Sequence, residues 1–166
     1  MKIEGAKILV TGGAGLIGST TIDQLLANEK PGEIVILDNM SRGTTRNLEN
    51  ALKDERVKLI QGDIRDKDLV YKVTEGMDAV IHMAAIRITA CAADPREAME
   101  VMNDGTFNVI DAAHKAGVKK VLAASSASIL GLADSFPTTE DHHPYNNRTW
   151  YGASKIMLEG LLRSYN

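Results

Sequence analysis

Five short runs of β-branched and aliphatic residues, at 7–10, 33–37, 57–61, 79–82 and 120–124, are nearly all apolar and do not alternate with polar residues. A strand with one face in water alternates, so runs of this kind belong to a sheet covered on both faces. Between them apolar residues return at helical spacing: Ile22, Leu25 and Leu26 after the first run, and Val101, Met102, Val109, Ile110 and Ala113 before the fifth. Strand, helix and strand in repetition predict an α/β fold on a doubly wound parallel sheet, with strand order 3-2-1-4-5 and right-handed crossovers. The long fourth helix has its own start signal: Asp94 to cap free N–H groups, Pro95 for the first turn and Glu97 to reach back to the cap, with Gly117 as its stop.

A chain of 166 residues amounts to about one domain with a sizeable core. Its 19 Lys+Arg and 22 Asp+Glu are interspersed and give a formal net charge of -3, which leaves no basic stripe for nucleic acid and no polybasic face for a membrane. One cysteine, Cys91, permits no internal disulfide and no Cys-rich metal site. The start shows no export signal, and the apolar stretch 121–133 is broken by Ser125, Ser126 and Ser128, short of the roughly 18 apolar residues of a membrane span. The expectation is a soluble cytoplasmic protein. Segments 38–45, 84–94 and 131–149 carry neither period; they follow strands two, four and five, at the strand ends where open α/β sheets bind ligands.

The first strand runs into Thr11-Gly12-Gly13-Ala14-Gly15-Leu16-Ile17-Gly18 and then a helix. Gly12 permits the sharp turn, Gly15 the approach of a pyrophosphate and Gly18 close helix–sheet packing, while the helix N-terminus favours an anion. Asp38 closes the second strand 20 residues after Gly18, where a carboxylate accepts both ribose hydroxyls of an adenosine. It would repel a 2′-phosphate, so NAD is expected over NADP. Arg42 is the guanidinium a 2′-phosphate would use, and it also reads as a solvated loop charge.

Tyr151 and Lys155 stand four apart, on one face of a helix. A tyrosine titrating near ~10 is a poor base at neutral pH unless a neighbouring cation favours its phenolate. Lys155 could equally pair with Glu159, four residues on. His142 and His143 stand beside Glu140 and Asp141, but adjacent histidines point poorly at one ion and no further His or Cys stands at ligand spacing, so no metal is expected.

The glycine pattern resembles that of the extended short-chain dehydrogenases/reductases, the nucleotide-sugar epimerase/dehydratase family of the UDP-glucose 4-epimerase kind. Gly62-Asp63-Ile64-Arg65-Asp66 resembles the family's adenine-contacting turn, His82-Met83-Ala84-Ala85 its segment along the cofactor, Asn103-Asp104-Gly105-Thr106-Phe107-Asn108-Val109 its Asn-x-x-Gly-Thr-x-Asn-Val helix, and Tyr151-Gly152-Ala153-Ser154-Lys155 its active-site helix. The likeness runs from Lys7 to Leu162. Each stretch also has a plain structural reading: Asp63 and Asp66 as caps of a turn and a helix, His82 as a satisfied buried histidine, Asn103 as a backbone partner.

The resemblance implies a Rossmann-type domain over 1–166 that binds NAD through Gly12, Gly15, Leu16, Ile17, Asp38, Asn39, Asp63, Ile64, Met83, Ala84, Ala85, Arg87, Asn103, Tyr151 and Lys155. It implies catalysis by Ser126, Tyr151 and Lys155 on a nucleotide-sugar, and a homodimer at full length. The chain stops at Asn166, before the C-terminal substrate domain that such enzymes carry. Leu130 stands where many members have an aromatic residue and Trp150 where a proline is usual, both bordering the sugar pocket. The activity implied is epimerisation by transient oxidation of a sugar hydroxyl to a ketone. Alternatives are a dehydratase or reductase of the same family, or a non-catalytic NAD(P)-binding module. Dehydratases of the family carry an Asp-Glu pair after the catalytic hydroxyl residue; here those positions are Ala127 and Ser128.

Overall fold

The computed structural model describes residues 1–165. Strands β1 (Lys7–Thr11), β2 (Glu33–Asp38), β3 (Val57–Gln61), β4 (Ala79–His82) and β5 (Lys120–Ala123) form one sheet in the order β3-β2-β1-β4-β5. Every neighbouring pair is parallel, as the apolar runs predict.

Successive side chains of a strand point to opposite faces, and in the inner strands β1, β2 and β4 both faces are buried, whereas the edge strands β3 and β5 are partly exposed. Ile8, Val10, Ile34, Ile36 and Ile81 pack with Ile22 and Leu25 of α1 (Leu16–Asn28). Leu9, Val35, Leu37 and Val80 pack on the other side with Val70 and Val73 of α2 (Lys67–Thr74) and with Val109, Ala112 and Ala113. Alternation disappears from the inner strands because neither of their faces meets water; the expected cover on both faces does not extend to β5, where Lys120 and Leu122 are exposed. Each buried Val, Leu or Ile contributes about 1.5–3 kcal/mol relative to exposure.

The segment expected as one long helix is composite. Asp94 caps it, its Oδ1 accepting the N–H groups of Arg96 and Glu97 at 3.0 Å, and Pro95 opens α4 (Pro95–Ala98). Glu97 does not answer back, because the Asp94 N–H is already given to the Ala90 carbonyl: a further helix, α3 (Ile88–Ala93), lies within the stretch that lacked periodicity. After α4 come a π-helical stretch, Met99–Gly105, and α5 (Thr106–Lys115). Gly117 ends the run in the left-handed region, φ +68°. Helix α6 (Trp150–Ser164) follows the long irregular segment after β5. Among the described residues no helix is long and apolar enough to cross a membrane.

Candidate active site

A parallel sheet brings the carboxyl ends of its strands to one edge, and a cleft of about 520 Å³ opens there. Gly12, Gly15, Leu16, Ile17, Asp38, Asn39, Asp63, Ile64, Met83, Ala84, Ala85, Tyr151 and Lys155 all line it. Thirteen of the residues singled out from sequence therefore meet on one wall.

Gly12 has φ +70°, and a Cβ there would lie 2.6 Å from the Ala84 backbone nitrogen. Only glycine lets the chain after β1 turn against the chain after β4. A Cβ on Gly18 would sit 2.4 Å from the Gly12 carbonyl, so the start of α1 lies directly on this turn. Gly15 is the N-cap of α1, and no side chain caps the helix, which leaves its first N–H groups facing the cleft for an anion. Asp38 accepts the Ala14 N–H at 2.9 Å on one oxygen and the Met40 N–H at 2.8 Å on the other. Each oxygen keeps a lone pair for a hydroxyl. The donor set fits a dinucleotide: glycine backbone for phosphates, a buried carboxylate for a ribose.

Sequence reading missed what supports this wall. Asn47 donates to the Ala14 carbonyl at 2.8 Å, and a Cβ on Gly43 would come within 2.8 Å of Asp38 Oδ1, so the loop after β2 closes onto the acid. Asp63 accepts from the Arg65 backbone and guanidinium and from Asn39 Nδ2. The Arg65 guanidinium foremost, with Asn39, holds the Asp63 pKa down at about 2. Asn108 donates to the Ile64 carbonyl at 3.1 Å, and a Cβ on Gly105 would strike the Ile64 side chain at 2.7 Å. The Asn-x-x-Gly-Thr-x-Asn-Val string thus presses a helix against the turn that carries Asp63 and Ile64. Signals for these partners were in that motif, but not the turn it would meet.

His82 is fully enclosed. Nδ1 lies 2.7 Å from Thr11 Oγ1 and Nε2 lies 3.1 Å from Thr106 Oγ1. Burial, then the Lys155 charge, lowers its pKa to about 3, so the neutral ring ties β1, β4 and α5 together.

Helix α6 is capped by Thr149, whose Oγ1 accepts the Gly152 N–H at 3.0 Å. Lys155 Nζ stands 5.7 Å from the centroid of the Tyr151 ring and donates to the Ala124 carbonyl at 2.6 Å. Burial lowers the Lys155 pKa. Ser126 is placed differently. It opens the 3-10 turn Ala127–Leu130, its Oγ accepting the Ser128 N–H at 3.1 Å, and it lines a second pocket with Ala127, Leu130, Glu140 and Glu159. Ser125, one residue earlier, lines both. Arg87 is exposed at the start of α3, outside the cleft. Asn103 is buried in the π-helical stretch, its Nδ2 on Met99 Sδ and its Oδ1 without a partner. Leu130 borders the second pocket, and Trp150, half exposed, lines neither.

Folding brings Asp134 to His142 and His143, with donor atoms within 4.8 Å of one another. The ring nitrogens are engaged. His142 Nε2 accepts the Asp134 N–H and Nδ1 donates to the His143 carbonyl; His143 Nε2 donates to Asp134 Oδ2 and Nδ1 accepts the Tyr145 N–H. These partners assign the tautomers and make the cluster a hydrogen-bonded clasp of the loop.

The model of the NAD dependent epimerase/dehydratase family matches residues 8–166. The UDP-glucose 4-epimerase of Bacillus subtilis is 38% identical over 162 residues, covering 94% of this chain and 47% of its own length. Among solved structures, the UDP-N-acetylglucosamine 4-epimerase of Methanobrevibacter ruminantium superposes with a TM-score of 0.89 at 29% identity, covering 98% of this chain and 51% of its own. The dTDP-glucose 4,6-dehydratase of Streptomyces venezuelae, solved with NAD bound, gives 0.88 at 33%, covering 96% and 51%. The chain spans about half the length of the relatives it matches.

Proposed function

This chain belongs to the NAD dependent epimerase/dehydratase family, and from that premise we propose that the protein carrying it is a nucleotide-sugar epimerase working by transient oxidation of a sugar hydroxyl. Residues 1–166 supply the dinucleotide site and the acid–base residues. The remaining sugar contacts would come from a part corresponding to the other half of the relatives.

The Gly12–Ile17 turn and Asp38 would hold NAD, which would supply a reversible hydride acceptor. In this reading the Tyr151 hydroxyl, as phenolate, takes the proton of the sugar hydroxyl and later returns it. Lys155, held by the Ala124 carbonyl, favours that phenolate with its charge. Ser126 turns its O–H away from the Ser128 Oγ and donates to the same sugar oxygen. Return of the hydride to the other face of the ketone would invert the centre.

The observation that carries epimerase over dehydratase lies in the turn after Ser126. It presents Ala127 and Ser128, neither of which exchanges a proton near neutral pH, so elimination of water has no acid–base pair there. The test is incubation of the protein, at the length of its relatives, with hexose and hexuronic-acid nucleotides, with products read by NMR. Inverted sugars are expected. A 4-keto-6-deoxy product, or full activity in Tyr151→Phe, overturns the proposal.

A further inference from the structure

Lys155 and Glu159 are four residues apart on α6, the spacing at which a lysine and a glutamate ordinarily meet. They do not. Lys155 turns inward, 5% exposed, and donates a hydrogen bond to the Ala124 carbonyl at 2.6 Å. Among the described residues no carboxylate lies within ion-pair distance of its ammonium, whereas Glu159 is held by the next residue of the same loop: Ser125 Oγ donates to its Oε1 at 2.6 Å. The other oxygen faces Arg163 at 3.6 Å, a pair on the water-exposed side of the helix and correspondingly weak.

We propose that Ser125 is a positioning residue that holds the Glu159 carboxylate away from Lys155, so that Lys155 faces the cleft as a cation without a counter-ion. This deepens the reading of Lys155 given above and rests on it. The physical reason is the choice open to a partly buried carboxylate. It needs donors, and besides Arg163 the helix offers it the ammonium one turn back, at the spacing where such pairs form. A Lys155–Glu159 pair would be a local, low-dielectric ion pair whose negative member cancels the lysine's field at Tyr151, four residues before it. The serine hydroxyl satisfies the carboxylate instead. The same contact fixes the loop at Ser125, next to the carbonyl that orients Lys155, so α6 grips two successive residues of the segment leading to Ser126.

Other groups around Lys155 do not replace a counter-ion. Tyr151 shares its helix. From β4 comes His82, held neutral. From α3 comes Cys91, a thiol whose pKa burial raises. Asp38, Asp63 and Arg42 line the same cleft, and both carboxylates are engaged by the partners already described.

The test follows the Lys155 side chain by NMR titration, identified by the signal missing in Lys155→Met, and needs neither cofactor nor sugar. Its outcome is therefore independent of whether the protein is an epimerase. In Ser125→Ala the released Glu159 should pair with Lys155 and raise its titration midpoint by about one unit. Ser125→Cys, with a poor donor of similar size, should do the same should the alanine variant not fold. Adding Glu159→Gln to either should restore the parent midpoint, and Ser125→Thr, which keeps the hydroxyl, should leave it in place. An unchanged midpoint in the alanine and cysteine variants overturns the proposal. So does a shift that persists after Glu159→Gln, since it would come from loop displacement and not from the carboxylate.

Discussion

The carboxylate of Asp38 accepts the Ala14 N–H at 2.9 Å, so the acid at the end of β2 is a structural member of the glycine turn that follows β1. In the proposed reading, ribose and phosphate recognition would share this one unit. NAD should accordingly bind more tightly than NADP, whose 2′-phosphate would meet a buried carboxylate. A like-charge contact of about 1 kcal/mol or more corresponds to roughly a tenfold preference. Calorimetric titration of both cofactors decides this; equal affinity, or NADP favoured through Arg42, refutes it. Asp38→Ala should also leave the Ala14 and Met40 N–H groups short of partners and lower stability by about 1–3 kcal/mol, read as a lower Tm without cofactor.

Two glycines of the same turn should separate stability from binding. Gly12 combines φ +70° with a 2.6 Å approach to Ala84, so Gly12→Ala should destabilise the fold by about 2 kcal/mol or more. At Gly15 the nearest atom to an added Cβ is 3.3 Å away and the backbone is extended. Gly15→Ala should keep its Tm nearly unchanged while NAD affinity falls by about tenfold or more, because the methyl occupies the path of the phosphates. Thermal melts with and without NAD check both. The same Tm loss in the two variants would contradict the distinction.

His82 predicts an acid limb to stability. Its pKa in the fold, about 3, lies below the ordinary 6.5, so the unfolded chain takes up a proton where the folded chain does not. The contribution is complete above pH 6.5 and is lost as pH falls towards 3. His82→Gln should be less stable than the parent near neutrality, yet lose less on acidification through that window. Urea unfolding midpoints at successive pH values measure it; parallel pH curves for parent and variant would exclude His82 as the source.

The β5 edge predicts self-association. β5 pairs only with β4 among the described strands, and Leu122 on it is 51% exposed. Unpaired edges recruit further strands, and a charged residue there opposes it. Light scattering of this 166-residue chain should show concentration-dependent association that Leu122→Lys reduces. A stable monomer in the parent chain would count against this.

Local patterns determined a good deal. Uninterrupted apolar runs encode the parallel strands, buried on both faces in the inner three, and Ile8 and Leu9 serve opposite cores for that reason; that the β5 run lies half exposed at an edge was not legible in it. The glycine spacing and Asp38 encode the turn, since only glycine tolerates the approach at Gly12. Asp94, Pro95 and Gly117 mark where a helical region begins and ends, because caps act on backbone groups within a few residues. Long-range contact decided the rest. Helix α3 was invisible because its six residues, Ile-Thr-Ala-Cys-Ala-Ala, carry no amphipathic period. The π-helical stretch holding Asn103 packs its last residue, Gly105, against Ile64, 41 residues earlier in the chain, a contact no local pattern announces. The sequence equally allowed Lys155 to pair with Glu159, its neighbour one turn on; the fold instead gave each a partner from the loop after β5. Spacing along a helix states which side chains can meet, and competition with groups brought from elsewhere in the chain settles which do.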